Sequence, residues 1–327
     1  MIKDTQTRCS REKSTHPRTG LGAFIAEISA RKVQRAGRFL GTLAFHLDIP
    51  HRRIVRRNLA FIYPHWDPAR IKKFTKQIFQ NIGITFAEIC QMMVLSKKDI
   101  LGRMRVTGIE HLSSALKAES GAILISAHLG NWEMIPLTGP FYLDRPFVAV
   151  ARKLPFDLLN RFILKLRSRF STGVIDKEGA FPEMRKVLRR GDILGIMIDQ
   201  GVKRSEGLDV NFLGRKARAT PAAALLALRC KSPAVPIFCV REPDGGLHVM
   251  VSPPLDLKRT GNLREDLKNN TQVMTDAVEK AVSNYPQQWF WVHKRWKAHY
   301  PEMFPEYQRR RKRRRARKYN KKNHERT

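Results

Sequence analysis

Acidic residues are scarce in this sequence: 29 Asp and Glu stand against 62 Lys and Arg in 327 residues, a formal charge of +33. So strong an imbalance points away from cationic partners and toward polyanions: nucleic acid, an anionic membrane surface or an acidic carrier protein. Cysteine is sparse too. Cys9, Cys90, Cys230 and Cys239 have no C-x-x-C spacing, so no disulfide framework is indicated and the thiols read as reduced or buried. The first twenty residues lack the apolar h-region of a signal peptide. No window holds the roughly 18 uninterrupted apolar residues of a spanning helix. The best stretch, Phe39 to Ile49, is short and runs into Arg52-Arg53. A Gly-x-Ser-x-Gly elbow is also missing, which removes the most familiar α/β nucleophile.

The charge that is present is unevenly spread. From Arg309 to Thr327 twelve basic residues face one acid, Glu325, which puts +11 on this segment and leaves +22 of the +33 on the rest. The tail has no apolar stripe and reads as disordered, serving either solubility or attraction to anionic lipid, worth roughly 1 kcal/mol per basic residue near such a surface. From Leu21 to Leu47 apolar residues recur at helical spacing around Arg31, Lys32, Arg35 and Arg38, a pattern that suits a helix lying on a membrane surface or packed on the body. Helices follow at Arg52–Ile62 and Pro68–Leu95, the latter with Asp67-Pro68 as cap and first-turn proline.

Beyond about Leu101 short apolar runs alternate with helical stretches. Strands are expected at Ala122–Ser126, Phe147–Ala151, Val174–Ile175, Ile193–Ile198, Ala234–Val240 and Leu247–Val251. Helices are expected to start at Asn131–Leu137 and to span Phe156–Phe170, Gly179–Arg190, Thr220–Cys230 and Asn262–Asn284. The alternation predicts an α/β fold, a central mixed sheet flanked by helices, with a helical N-terminal region and a disordered basic C-terminal tail. The expected divisions are 1–20 disordered, 21–105 helical and membrane-associating, 106–300 the α/β core, and 301–327 the polybasic tail.

The most informative stretch is Ile123-Leu124-Ile125-Ser126-Ala127-His128-Leu129-Gly130-Asn131-Trp132-Glu133. A strand ends in a small residue, a histidine and a glycine-containing turn follow, and a glutamate comes five positions after the histidine. Within one helix, residues five apart point about 140° away from each other. The pair meets only if His128 lies on the turn and Glu133 in the helix's first turn, which would give a general base steadied by a carboxylate. The plainer alternative is a hydrogen-bonded turn histidine and a glutamate favouring a helix N-terminus. In open α/β sheets ligands gather beyond the carboxyl ends of strands, and His128, Arg152 and Asp199 each follow one such end.

These residues belong to a larger pattern. The chain resembles the bacterial lipid A biosynthesis acyltransferases of the lauroyl/myristoyl type, within the lysophospholipid acyltransferase superfamily. The resemblance rests on Arg56-Arg57-Asn58-Leu59-Ala60, the His128–Glu133 block, Val150-Ala151-Arg152-Lys153, Met197-Ile198-Asp199-Gln200-Gly201, Phe212-Leu213-Gly214 with Thr220-Pro221, Ala234-Val235-Pro236, and the run from Pro286 to Lys297. It implies transfer of a fatty acyl chain from acyl carrier protein to a hydroxyl of a lipid acceptor at the cytoplasmic face of the inner membrane. By resemblance, His128 and Glu133 are the catalytic histidine and acid, and Arg152 and Asp199 fall on the basic and acidic positions of their blocks.

Two features depart from that family: the usual spanning N-terminal helix is here a short arginine-interrupted segment, and the polybasic tail is additional. Both favour peripheral attachment through the anionic membrane surface. On this reading His128 takes a proton from the acceptor hydroxyl, and no acyl-enzyme forms. Either backbone N–H groups near Gly130 and Asn131 or the guanidinium of Arg152 hold the oxyanion. Arg152 aids the oxyanion, holds an acceptor phosphate or pairs with Asp199. Phe212 and Leu213 line an acyl groove or pack the core. Trp289, Trp291 and Trp296 sit at a membrane interface or pack the last helix on the sheet. His293 and His299 have no partnering acids or thiols, so no metal is expected, nor any cofactor. A nucleic-acid partner is not expected, because charge alone suggests one and no such fold is recognisable.

Overall fold

The computed structural model describes residue 25 and residues 28–151, 157–170, 172–177 and 179–306. Arg152 and Cys9 therefore lie outside the described residues, as do the first twenty-four residues and the tail from 307 onward.

Three helices open the described chain: α1 (Ala30–Leu47), α2 (Ile49–Ile62) and α3 (Pro68–Met92). Each starts where a short oxygen-bearing side chain accepts an otherwise unpaired backbone N–H. Ser29 accepts from Lys32, Asp48 from His51, and Asp67 from Arg70, with prolines in the first turns of α2 and α3. Asp48 both stops α1 and starts α2, which is why the second helix begins earlier than Arg52. Helix α1 lies hard against α3 across glycines. A Cβ on Gly41 would stand 2.3 Å from the Phe79 carbonyl oxygen, and one on Gly83 would stand 2.3 Å from that of Gly37.

After the short helix α4 (Lys97–Leu101) come β1 (Met104–Thr107), α5 (Ile109–Leu116) and β2 (Ala122–Ser126). A 3₁₀ turn (Trp132–Leu137) and a π turn (Gly139–Leu143) lead to β3 (Phe147–Ala151). Then follow α6 (Asp157–Arg169), β4 (Thr172–Asp176), α7 (Phe181–Arg189) and β5 (Ile193–Met197). A hairpin of β6 (Leu208–Phe212) and β7 (Arg215–Ala219) precedes α8 (Ala222–Cys230), β8 (Ala234–Arg241), β9 (Leu247–Val251) and α9 (Leu263–Asn284).

Seven strands form one sheet in the order β1-β9-β8-β2-β5-β3-β4, with every neighbouring pair parallel except β8–β9. The sheet is therefore mixed, as expected. Strands β2 and β8 are buried at every position, which explains why they read as unbroken apolar runs rather than alternations: helices cover both faces. The sequence reading missed β1 and α5, and the separate β6–β7 hairpin, whose residues alternate Arg and Lys with Ala in β7. The segment after His128 is 3₁₀ rather than α-helical, with Pro136 inside it. The packed body also runs past 300: Phe304 is buried, and Glu306 pairs with Arg57 at 2.9 Å and Lys294 at 3.1 Å.

The glycine contact between α1 and α3 yields a test with an informative sign. In an open helix Gly→Ala gains roughly 0.5–1 kcal/mol. Gly41→Ala should instead destabilise by roughly 1–3 kcal/mol, because the new methyl meets main-chain atoms. Thermal unfolding reads this directly, and a raised melting temperature would contradict the close packing.

Candidate active site

The site follows from strand register. Neighbouring parallel strands β2 and β5 place Ser126 level with Met197. His128 and Asp199 each come two residues further on, so they leave the sheet side by side. His128 Nδ1 lies 2.9 Å from Asp199 Oδ1, and the His128 backbone N–H donates to Oδ2 at 3.1 Å. The indole N–H of Trp289 donates to Oδ2 at 2.9 Å. Asp199 is fully buried, and a buried carboxylate persists only with such donors.

These contacts fix the tautomer: Nδ1 carries the proton given to Asp199, and Nε2 keeps its lone pair. The Gln200 amide nitrogen stands 3.4 Å from Nε2. The His128 side chain is 19% exposed. Burial alone would depress the imidazole pKa. The Asp199 charge and hydrogen bond, aided by Glu133, outweigh that and raise it above its ordinary value. For Asp199, burial pushes upward but the His128 charge and hydrogen bond win, and the carboxyl is held far below the usual range.

The turn that carries His128 is stapled on both sides. Phe290 N–H donates to the His128 carbonyl at 3.0 Å, and Gly130 N–H to the Gln288 carbonyl at 3.1 Å. Thr85 of α3 donates its hydroxyl to the Gly130 carbonyl at 2.8 Å. Gly130 has φ +56°, and a Cβ there would lie 2.1 Å from the Cys239 carbonyl oxygen, so only glycine fits. Beneath the turn, Arg241 forks onto Glu88 with two 2.7 Å bonds and reaches Thr85 at 3.1 Å. Gln288 exchanges two 2.8 Å bonds with the Arg241 backbone. This charged knot joins α3, β8 and the C-terminal block to the turn.

Several expected roles are corrected by these positions. Glu133 sits in the first turn of its 3₁₀ segment, as anticipated, yet its carboxylate does not reach the imidazole. Arg167 of α6 takes it in a two-pronged pair at 2.7 and 3.1 Å, and the Nδ1 position is already filled by Asp199. Asp199 is thus a partner of the imidazole rather than a group open to substrate. Asn131 is completely buried, with its side-chain amide donating to Glu88 at 3.1 Å, and the Gly130 N–H is spent on Gln288, so the Gly130 amide is not free to hold an oxyanion. The ion pair of Arg152 with Asp199 falls outside the described residues.

Trp289, Trp291 and Trp296 are each at most 1% exposed, which assigns them to packing rather than a membrane interface. Phe212 is likewise buried, with its ring edge-on to Trp289 at 5.5 Å.

The sequence reading weighed His293 only as a metal ligand and gave it no catalytic role. Its ring stands 5.6 Å from that of His128 and 5.0 Å from that of Phe290, and its Nε2 is buried without a partner among the described residues. Burial drives its pKa down to about 4 despite the attraction of Asp199, so the ring is neutral at physiological pH. Arg295 is buried as well, donating to the carbonyls of Gln200 and Arg218 at 2.9 Å each. The signal for both was the Pro286–Lys297 block itself, in which polar residues alternate with tryptophans.

Comparison with known proteins gives the family. A family described as bacterial lipid A biosynthesis acyltransferase matches residues 2–298. The lipid A biosynthesis lauroyltransferase of Escherichia coli (strain K12) is 25% identical over 304 residues, covering 89% of this chain and 95% of that protein. A lipid A biosynthesis acyltransferase of Haemophilus influenzae is 22% identical over 255 residues, 77% of this chain and 78% of that one. The phosphatidylinositol mannoside acyltransferase of Mycolicibacterium smegmatis is 29% identical over 201 residues, 59% of this chain and 62% of its own length. With a family match over nearly its whole length and a polar dyad at the carboxyl ends of its central strands, the chain belongs to the bacterial lipid A biosynthesis acyltransferase family and is an acyltransferase.

Proposed function

We propose that this enzyme moves a fatty acyl chain from an acyl carrier protein thioester to a hydroxyl of a lipid A-type acceptor, working at the cytoplasmic face of the bacterial inner membrane. His128 is the general base, and Asp199 is the acid that holds it. The observation that carries this reading is the 2.9 Å contact between His128 Nδ1 and the buried Asp199 carboxylate. With Nδ1–H committed to Asp199, Nε2 is the basic atom. The acceptor hydroxyl gives its proton to Nε2 as its oxygen attacks the thioester carbonyl carbon. The C–S bond then breaks, and the imidazolium returns the proton to the departing thiolate. Asp199 stabilises the imidazolium while it exists. Among the described residues no serine, threonine or cysteine hydrogen-bonds the His128 ring, which supports direct transfer without an acyl-enzyme.

The developing oxyanion needs a donor that is free, and the Nε2 of neutral His293, without a partner among the described residues, meets that need better than the Gly130 amide, which Gln288 engages. Glu133 acts at one remove: it holds Arg167 and so fixes α6 against the site. The exposed Arg161 and Lys165 of α6, with the overall charge of +33, support docking of an acidic carrier protein. A second acceptor class is supported by the 29% identity to a phosphatidylinositol mannoside acyltransferase, namely a glycosylated glycerophospholipid.

The test is transfer from acyl carrier protein thioester, read by mass spectrometry, to a lipid A precursor and separately to a phosphatidylinositol mannoside. Product on the lipid A precursor supports the first reading, and product only on the second acceptor moves the assignment to the alternative. His128→Ala should lose roughly 10²–10⁴-fold in kcat, and intact mass after incubation with donor alone should reveal no acyl adduct. Retained activity, or an adduct, would defeat the mechanism. His293→Phe should lower kcat by roughly 10²–10³-fold with KM little changed, while His293→Gln, which keeps an N–H, recovers much of it. Equal losses in both variants would remove the oxyanion role.

A further inference from the structure

Helix α1 has two unlike sides. Val33, Gly37, Gly41 and Phe45 are buried. Phe39 and Leu47 are each 71% exposed, and Leu40 and Leu43 are 46% and 47% exposed. At 3.6 residues per turn these four side chains fall within an arc of about 100°. Ile49, at the start of α2, extends the apolar surface at 42% exposure. Arg31, Arg35, Arg38 and His46, all exposed, occupy an adjoining arc of about 80°. Lys32 is exposed near the N-terminal end of the apolar arc, where a long side chain can carry its ammonium clear of that surface. No acidic residue occurs in α1, and the next carboxylate along the chain, Asp48, is occupied by the cap of α2 and by His51 at 2.7 Å.

A solvated helix face has no reason to display four large apolar side chains in a row. The charge beside them narrows what covers it. A second copy of the chain meeting this face around a two-fold axis would set arginine row near arginine row, with no acid on the helix to offset them. The first twenty-four residues hold five basic residues against two acids, so that segment adds to the positive charge rather than complementing it. An apolar arc bordered by cations matches a surface that is anionic at its headgroups and hydrocarbon beneath.

We propose that the Phe39–Leu40–Leu43–Leu47 face of α1 is the surface through which the enzyme docks on an anionic bilayer, with the helix lying in the interfacial plane. Its apolar residues enter the acyl boundary, while Arg31, Arg35 and Arg38 lie among the headgroups. The glycine contact with α3 fixes this helix to the body, so docking sets the orientation of the whole enzyme to the membrane. The proposal extends the lipid-acceptor reading above, on which its purpose rests, though the surface is read from the helix alone.

The experiment uses the full chain and vesicles of phosphatidylcholine, with and without phosphatidylglycerol. Because the polybasic tail can also bind such vesicles, sedimentation is paired with a local probe. Leu43→Trp adds an indole on the proposed face, and its emission over that of wild type should be quenched by half or more by brominated phosphatidylglycerol vesicles. Phe39→Asp with Leu43→Asp should reduce partitioning into phosphatidylglycerol vesicles at least tenfold. Arg35→Glu with Arg38→Glu should reduce it comparably, each basic residue near an anionic surface contributing about fivefold.

Acyl transfer to detergent-dispersed acceptor should stay within about twofold of wild type in these variants, which keeps this test separate from that of the dyad. Sedimentation of Leu43→Trp with vesicles without quenching would overturn the proposal, because attachment would then run through another surface. So would a wild-type dimer in ultracentrifugation that Phe39→Asp with Leu43→Asp dissociates, because the face would then meet a second copy.

Discussion

One buried hydrogen bond organises this protein: the imidazole of His128 on the carboxylate of Asp199. Parallel pairing of β2 with β5 brings the two residues level, each two positions beyond its strand. A carboxylate cannot be left in the interior unpaired. Asp199 accordingly takes the ring and backbone N–H groups of His128 and the indole of Trp289. That last bond explains why the C-terminal block matters to chemistry as well as packing. Trp289 belongs to a buried aromatic group with Trp291, Trp296 and Phe212, and the same block grips the histidine turn through Phe290 and Gln288.

A second buried charge pair, Glu88 with Arg241, serves the first. It gains little as a source of stability, since desolvation of both ions offsets their attraction. Its geometry does more. The arginine fork, Thr85 and Gln288 together hold α3, β8 and the turn in one register, so that Gly130 can make its tight left-handed bend two residues after the base. Glu133, the acid expected to serve the imidazole, is instead spent on Arg167, which fastens α6 beside the site. The arrangement separates two tasks: Asp199 sets the charge and tautomer of His128, and Glu133 sets the wall next to it.

Much of this was legible in the residues. Buried parallel strands announce themselves as short apolar runs, and β2, β3, β5, β8 and β9 were bounded within a residue or two. The capped helix α3 was recognisable from Asp67 and Pro68 at its start, whereas α2, read from apolar spacing to start at Arg52, begins at Ile49 after its Asp48 cap. Short elements of mixed character were not: β1 with its exposed Arg105, and the β6–β7 hairpin, whose exposed positions are polar or charged, lack a run long enough to stand out. For the site, His128 and Asp199 were both picked out as strand-end residues, but their pairing was assigned to Glu133. Sequence nearness suggested the near acid, while strand order, which no local pattern encodes, delivered the distant one. The site role of His293 and the Glu88–Arg241 pair stayed hidden for the same reason, because their meaning comes only from what the fold sets against them.

The central claim, that Asp199 rather than Glu133 governs His128, is tested most directly by the pH dependence of kcat/KM in wild type, Asp199→Asn and Glu133→Gln. The base must be neutral to act, so activity falls as pH drops through its pKa. In wild type that acid limb should lie above the ordinary imidazole value of 6.5, because Asp199 raises it against burial. Asp199→Asn should carry the limb below 6.5, where burial outweighs the smaller pull of Glu133, and lower the plateau rate as well. Glu133→Gln should move it only slightly downward, as befits the smaller contribution of that carboxylate. A limb that stays in place in Asp199→Asn, or that moves further in Glu133→Gln, would contradict the account.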